Sequence, residues 1–180
     1  MARYAAFLRG INLGRNRRIG AADLRAAFED AGFENVGTFR TSGNVVFDGR
    51  GAAAALKARI EKGLADATGH DVAVFLRSER EIRAIAGLRP FAPRVVQASK
   101  GKLQVLLLPA RPRPAARKEV MALATDDDPL AFGNRELYWL PSGGTLKAAI
   151  DLQAIERLAG PTTMRTKGTM DQLAAKFFAC

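Results

Sequence analysis

The sequence contains very few of the residues on which metal sites and covalent catalysis depend. Its 180 residues include one cysteine, Cys180, and one histidine, His70. A single cysteine excludes an internal disulfide, and one cysteine with one histidine argues against a zinc site. His70 stands at a predicted turn, and no serine occupies the strand-to-helix motif of the serine hydrolases. The sequence therefore predicts no metal, no cofactor and no recognisable catalytic constellation.

Long apolar runs are also missing. The apolar stretch near the N-terminus is interrupted by Arg3 and Arg9 and is not followed by a small-residue cleavage site, so it does not fit a signal peptide. No stretch approaches the length that spans a membrane. Hydrophobic residues make up 48% of the chain, enough for a buried core, which argues against disorder. We therefore expect a cytoplasmic protein without membrane contact, folded as one domain or two small ones.

Acidic residues are scarce in two regions. Five arginines precede the first acid, Asp23, and nine basic residues lie between Glu81 and Glu119 with no acid among them. The formal net charge is +10, and clustered arginine and lysine are typical of proteins that bind the phosphates of nucleic acids. The same charge also keeps a protein soluble. Composition alone leaves both interpretations open.

Apolar spacing predicts strand, helix, strand, strand, helix, strand and one more helix in the first half of the chain. The predicted strands cover 3–8, 36–41, 44–48 and 71–77. The first helix lies between Gly20 and Gly32, and the second ends before Gly69. Ser78 and Glu81 have the spacing of a capping box, in which each side chain bonds the backbone N–H of the other residue. This box predicts the start of the last helix.

The same order recurs in the second half, although the residues are not the same. The predicted strands cover 102–108, 130–132, 137–140 and 162–165, with a helix after the first and third of them. Thr169 and Gln172 predict a second capping box before the last helix. The intervening segment 89–101 contains prolines and little periodicity, so we interpret it as a linker between units at 1–88 and 102–180.

Two βαββαβ units, each followed by one helix, define the predicted fold class. It is an α+β arrangement of two ferredoxin-like halves packed together, each an antiparallel sheet with its helices on one face. One continuous α+β sheet is the alternative that the same element order allows. The sequence leaves the oligomeric state open, and a monomer is the starting expectation.

Two short motifs resemble those of one known family. The first is Leu8, Arg9, Gly10, Ile11, Asn12, Leu13 and Gly14, and the second is Thr41, Ser42, Gly43, Asn44, Val45, Val46 and Phe47. Together they are similar to an uncharacterised bacterial family, domain of unknown function 1697, and the resemblance extends over nearly the whole chain. It implies an α+β fold with two related ferredoxin-like halves and implies no established activity.

This chain departs from the family pattern in two places. After Gly14 the family commonly has another glycine and a single basic residue, whereas this chain has Arg15, Asn16, Arg17 and Arg18. After the paired threonines Thr162 and Thr163 the family often has an Arg, Asn, Trp cluster, which is altered here at 164–168. A role that depends on that asparagine and tryptophan is not carried over to this chain.

The strand-to-helix loop at 9–20 is the first candidate binding site. Glycines allow a backbone to approach a ligand closely, and amides at a helix N-terminus attract anions. The glycine spacing matches neither the dinucleotide-binding fingerprint nor the Walker loop. The predicted contacts for a phosphate or a nucleic-acid backbone are Arg9, Gly10, Asn12, Gly14, Arg15, Arg17 and Arg18. In the alternative interpretation the glycines only form turns and the arginines are solvated.

A second candidate is the predicted hairpin turn, which contains Ser42, Gly43 and Asn44. The first and third strands of a ferredoxin-like sheet are neighbours, so this turn would lie near the first loop and could present a hydroxyl and an amide to the same ligand. The same residues are also ordinary turn formers, because asparagine and glycine tolerate the backbone angles of tight turns.

A third candidate is one face of the first sheet. If Phe7, Phe47 and Phe75 share that face with Arg3, Arg9 and Arg77, it would resemble the surface on which RNA-recognition sheets stack bases. The chain has no full motif of that class. The alternative is that these phenylalanines are buried in the core.

Three functions remain open from the sequence. The first is a noncatalytic module that binds a phosphate-bearing ligand, with nucleic acid or a phosphorylated small molecule as the partner. The second is an enzyme for a small anionic metabolite between the halves, with Asp48 or His70 transferring protons. The third is a structural or oligomerising protein. Three consecutive aspartates, 126–128, are interpreted as a solvated helix end rather than a cation site.

Overall fold

Two compact units make up the part of the chain that the computed structural model describes, which is residues 1–11, 19–40 and 43–179, with only the backbone of Lys147. The first unit contains Met1–Arg83 together with the C-terminal residues from Phe177. The second unit contains Ala84–Lys176.

The first sheet and its helices follow the predicted order. The elements are β1 (Ala2–Arg9), α1 (Ala21–Asp30), β2 (Glu34–Thr38), β3 (Asn44–Gly49), α2 (Ala53–Thr68), β4 (Ala73–Ser78) and α3 (Glu79–Gly87). β2 begins and ends earlier than predicted. The pairing of β2 with β3 shifts register between Glu34 and Gly37, and Asn35 between them has a positive φ of 51°. This irregularity moves the strand boundary, and alternating hydrophobicity does not report it.

The second sheet repeats the pattern after a short extra helix. The elements are α4 (Pro93–Ala98), β5 (Gln104–Leu107), α5 (Pro114–Met121), β6 (Leu130–Phe132), β7 (Glu136–Trp139), a 3₁₀ turn (Thr145–Lys147), α6 (Leu152–Ala159), β8 (Thr163–Thr166) and α7 (Lys167–Phe177). Helix α4 lies inside the segment interpreted as a linker. It begins at Pro93, a residue that fits the first turn of a helix because its missing N–H is not needed there.

Both units have the topology of a ferredoxin-like sheet. The strand orders are β2-β3-β1-β4 and β6-β7-β5-β8, so the first strand of each unit lies between the third and the fourth. All of these pairs are antiparallel. The predicted class, two βαββαβ units each followed by a helix, is confirmed.

One face of each sheet is covered by the two helices of its own unit. In the first unit α1 and α2 cover alternate residues of β1, β3 and β4, and Phe47 packs against Phe33 and Phe28 with ring centroids 4.6 and 5.4 Å away. In the second unit Trp139 is fully buried in a cluster that includes residues of α5 and α6. Its Nε1 donates a hydrogen bond of 2.8 Å to Asp128. The last of the three aspartates is therefore a buried partner of the only tryptophan.

In each unit the last helix begins directly after the last strand, and a hydroxyl side chain caps its first turn. At the first junction Ser78 and Glu81 form the predicted capping box, with Ser78 N donating to Glu81 Oε2 at 2.9 Å and Glu81 N donating to Ser78 Oγ at 3.4 Å. At the second junction the predicted box was wrong, because Thr169 lies inside α7. The cap is Thr166, whose Oγ1 accepts a hydrogen bond of 3.1 Å from Thr169 N.

A buried arginine precedes each of these caps. Arg77 is fully buried and Arg165 is 8% exposed. Each donates to the carbonyl of the residue before it, Arg77 to Leu76 at 3.0 Å and Arg165 to Met164 at 2.8 Å. Burial lowers the pKa of Arg165 from its usual range to about 10. Both units therefore have a buried arginine at the end of the last strand, followed by a hydroxyl residue that caps the last helix. The two units thus share residue types at matching positions, which the element order alone did not show.

Candidate functional site

The two sequence motifs meet at one end of the first sheet. β1 ends at Arg9, and β3 begins at Asn44, which pairs with Phe7. Leu8 N donates a hydrogen bond of 2.9 Å to Gly43 O. The structure therefore places Arg9 and Gly10 beside Gly43 and Asn44, as neighbouring first and third strands predict.

Gly43 allows the hairpin turn to approach the end of β1 closely. Its φ is +70°, a conformation that L side chains rarely adopt. A Cβ at this position would lie 3.1 Å from both Leu8 Cβ and Ile11 Cγ2. Gly43 therefore serves both the turn and the close approach of the two motif segments.

The Asn44 side chain is used inside the turn. The residue is fully buried, and its Nδ2 donates a hydrogen bond of 2.9 Å to Phe39 O. Phe39 N donates a backbone bond of the same length to Asn44 O. These two bonds join Phe39 to Asn44, so the asparagine side chain holds the two ends of this connection together.

Arg40 is a residue of this turn that the sequence reasoning missed. It is exposed and has a positive φ of 58°, and its guanidinium carbon lies 5.6 Å from the centroid of the Phe39 ring. Left-handed backbone in a residue other than glycine is uncommon and concentrates at functional sites. Its position directly before the second motif was the available signal.

A third connection reaches the same corner through the only histidine. His70 Nε2 lies 3.3 Å from Gly10 O, and its Nδ1 lies 3.2 Å from Thr68 O. The ring therefore links the end of α2 to the backbone at the end of β1. The sequence placed His70 at a turn but gave no sign of this contact, because the two residues are far apart in the chain.

Acidic groups also border this corner. An open hollow is lined by Arg9, Gly10, Glu61, Asp71, Val72 and Ala73. The Glu61 carboxylate is already engaged, since it accepts from Val74 N at 3.2 Å and lies 3.2 Å from Lys57 Nζ. Asp71 is exposed. The corner therefore carries both signs of charge, with arginine on the side of β1 and carboxylates on the side of β4.

The remaining predicted contacts lie outside the described residues. These are Asn12, Gly14, Arg15, Arg17, Arg18 and Ser42. The sequence places the three arginines among them between Ile11, which is buried, and Ile19, which is partly buried against the first core.

The predicted aromatic face was wrong. Phe47 pairs with Tyr4, so it shares the face that α1 and α2 cover, whereas Phe7 and Phe75 pair with each other on the opposite face. All three rings are at most 3% exposed. Among the described residues of these strands, the phenylalanines therefore offer no surface for stacked bases.

The two acids considered for proton transfer lie at opposite ends of β1. Asp48 accepts from Asn35 Nδ2 at 2.7 Å and lies 3.6 Å from Arg3 Nη1, near the start of the strand. His70 is at the other end, beside Gly10. The eight residues of β1 separate them by about 25 Å. Asp48 and His70 cannot act on one substrate within this unit.

Residues 1–11, 19–40 and 43–179 hold no group of three or more histidine, cysteine, aspartate or glutamate side chains that could ligate a metal. Over those same ranges, no helix is both long enough and apolar enough to cross a membrane.

The fold and the motif corner define a class of α+β proteins with two ferredoxin-like units. The family model described as "Protein of unknown function (DUF1697)" matches residues 1–138, and the chain belongs to that family. The resemblance drawn from the two motifs is thereby confirmed.

Comparison with solved structures gives the same fold. The structure of conserved bacterial protein SP0830 from Streptococcus pneumoniae is similar, with a TM-score of 0.71, 21% sequence identity and coverage of 97% of each chain. At this identity the likeness shows the shared fold alone. No curated protein matches this chain.

Proposed function

We propose that the protein is a noncatalytic module that binds a phosphate-bearing ligand, with nucleic acid as the first candidate. The site is the corner of the first unit where the β1–α1 and β2–β3 connections meet. The observation that carries the proposal is the contact of Leu8 and Ile11 with Gly43, which sets two exposed arginines, Arg9 and Arg40, on adjoining connections.

The charge of the adjoining loop supports a phosphate ligand. Between Ile11 and Ile19 the chain carries three further arginines and no acid. Guanidinium groups bind phosphate through paired, charge-assisted hydrogen bonds, so several of them on neighbouring connections favour a phosphate over a neutral ligand. Asp23 already places a negative charge in the first turn of α1, where it offsets the attraction of the helix dipole for an anion. The arginines, rather than the helix end, therefore supply the proposed affinity.

The backbone of the corner supports a preorganised site. Gly10 and Gly43 both have positive φ, at 79° and 70°, and Asn44 closes the turn by its own hydrogen bond. Backbone that is already ordered loses less conformational entropy when it binds. We therefore expect the backbone at Gly10 and Gly43 to keep its conformation when a ligand binds.

The test of this function is the loss of loop charge. We expect Arg15→Ala, Arg17→Ala and Arg18→Ala together to weaken binding of a labelled DNA duplex at least about tenfold at moderate salt, because up to three phosphate contacts are lost. Across a salt series, the slope of log affinity against log salt should become shallower by about 2.7, or about 0.9 for each contact.

The matched control removes the same charge at the far end of the unit. Arg50, Arg80 and Arg83 follow the ends of β3 and β4 that lie away from the corner, and all three are exposed. When all three are replaced with alanine, the slope of log affinity against log salt should stay within about 0.9 of the wild-type slope, which corresponds to one phosphate contact. If both triple variants lose affinity for the duplex equally, or if the wild type does not bind it at low salt, the loop arginines do not form a specific phosphate site.

A further inference from the structure

The connection between β5 and α5 in the second unit alternates arginine and proline. Its sequence is Pro109, Ala110, Arg111, Pro112, Arg113 and Pro114. Arg111 and Arg113 are exposed, whereas Pro112 between them is buried. Each proline fixes its own φ, and the buried ring anchors the segment. The two guanidinium groups therefore lie on a stiff backbone that loses little conformational entropy when it binds a partner.

Two more arginines lie beside the same connection, Arg117 on α5 and Arg135 on the turn between β6 and β7. Arg135 Nη1 donates a hydrogen bond of 3.3 Å to Pro109 O. Arg117 Nη1 donates one of 3.2 Å to Gly133 O, and its guanidinium carbon lies 4.4 Å from the centroid of the Phe132 ring. Arg117 lies one helical turn after Arg113, since Arg117 N donates to Arg113 O at 2.9 Å. We name Arg111, Arg113, Arg117 and Arg135 the arginine surface.

The acids near the arginine surface already accept hydrogen bonds. Glu136 is buried and its Oε2 accepts from Arg135 N at 3.1 Å. Glu156, in α6, accepts from Thr162 N and Oγ1 at 3.0 and 2.9 Å. Glu119 is exposed one residue beyond Lys118 on α5. The exposed charge along the connection itself, from Leu108 to Lys118, is entirely basic.

The arginine surface occupies the same position in its unit as the motif corner does in the first. Leu108 N donates to Arg135 O at 2.9 Å, just as Leu8 N donates to Gly43 O at 2.9 Å. In both units the bond joins the end of the first strand to the turn before the third. The repeated fold therefore places a basic connection at the same corner twice, although the two connections share no motif.

We infer that the arginine surface is a second binding surface and that it takes the sugar-phosphate backbone of a nucleic acid. Guanidinium groups spread along an exposed, stiff connection suit successive phosphates of a chain, whereas a single small ligand needs a concave pocket. The inference rests on the proposed function for the phosphate class of its ligand. It extends that function by naming a polymer and a second set of residues.

The test removes the two exposed arginines of the connection. We expect Arg111→Ala with Arg113→Ala to make the slope of log affinity against log salt shallower by about 1.8 for a labelled DNA duplex, because two phosphate contacts are lost. Neither side chain takes part in a buried contact, so the unfolding midpoint should stay at the wild-type value. The control Arg50→Ala with Arg80→Ala removes the same charge from the other unit.

The outcomes separate this inference from the proposed function. A slope that falls for the Arg111 and Arg113 variant but not for the control supports the arginine surface. If only the variant at Arg15, Arg17 and Arg18 changes the slope, the proposed function stands and the second surface is overturned. Binding of inorganic pyrophosphate without any binding of the duplex by the wild type would also overturn the second surface while leaving the first site in place.

Discussion

Replacing Gly101 with alanine is expected to lower the free energy of unfolding by about 3 kcal/mol. A Cβ on Gly101 would lie 2.5 Å from Gly143 O and closer still to Pro141 O. Both atoms belong to backbone, which cannot turn aside as a flexible side chain does. Ser99 also links the two backbone segments, because its Oγ donates to Pro141 O at 2.7 Å and accepts from Gly101 N at 3.1 Å.

The measurement is urea unfolding followed by the fluorescence of Trp139, which is the single tryptophan and is fully buried. Gly168→Ala is the matched control, since Gly168 lies within α7 and a Cβ there would meet nothing within 4 Å. That change should leave stability unchanged or raise it by up to about 1 kcal/mol, because alanine favours the helix. A Gly101→Ala variant as stable as the control would show that the backbone segments do not approach as described.

Replacing Lys167 with methionine is expected to lower the free energy of unfolding by about 2–3 kcal/mol. Lys167 is 6% exposed, pairs with Asp171 one turn along α7, and donates a hydrogen bond of 2.9 Å to Ala86 O at the end of α3. Methionine keeps the apolar stem but removes the charge and the donors. The Asp171 carboxylate then loses its partner, and the Ala86 carbonyl keeps only the bond from Arg89 Nη1 among its described side-chain donors.

The exposed pair on α2 provides the control for this change. Lys62 and Asp66 have the same spacing, with a nitrogen-to-oxygen distance of 2.7 Å, but their side chains are 78% and 67% exposed. Water screens an exposed pair of this kind, so it contributes little to stability, and Lys62→Met should be nearly silent in the same assay. Equal effects at the two positions would contradict a structural role for the buried lysine.

Local signals predicted most of the fold. Hydrophobic spacing, the glycine after α2 and the box at Ser78 and Glu81 each act within a few residues, so the element order and the hairpin could be predicted. The start of α7 could not be predicted, because Thr166 and Thr169 both have hydroxyl side chains that can cap a helix. The sequence alone does not decide which of them precedes the first turn. The side of the sheet on which Phe47 lies was also not predicted. It depends on the pairing of Phe47 with Tyr4, and these residues are far apart in the chain.

The candidate site was predictable in position but not in detail. The neighbouring first and third strands of a ferredoxin-like sheet bring Gly10 near Gly43, and the structure has this arrangement. The contact of His70 with Gly10 and the left-handed backbone of Arg40 depend on tertiary packing. The sequence named Asn44 as a ligand contact, with turn formation as the alternative, and in the structure its amide bonds the backbone of the turn.

The central claim is that a phosphate-bearing ligand binds where the end of β1 meets the turn before β3. Titration of ¹⁵N-labelled protein with inorganic pyrophosphate, followed by amide chemical shifts, tests it most directly. The account predicts saturable shifts at Gly10, Ile11 and Gly43, with the amide of Tyr138 in β7 unmoved. Amides of Gly10, Ile11 and Gly43 that stay in place while the protein binds pyrophosphate elsewhere, or does not bind it, would contradict the claim.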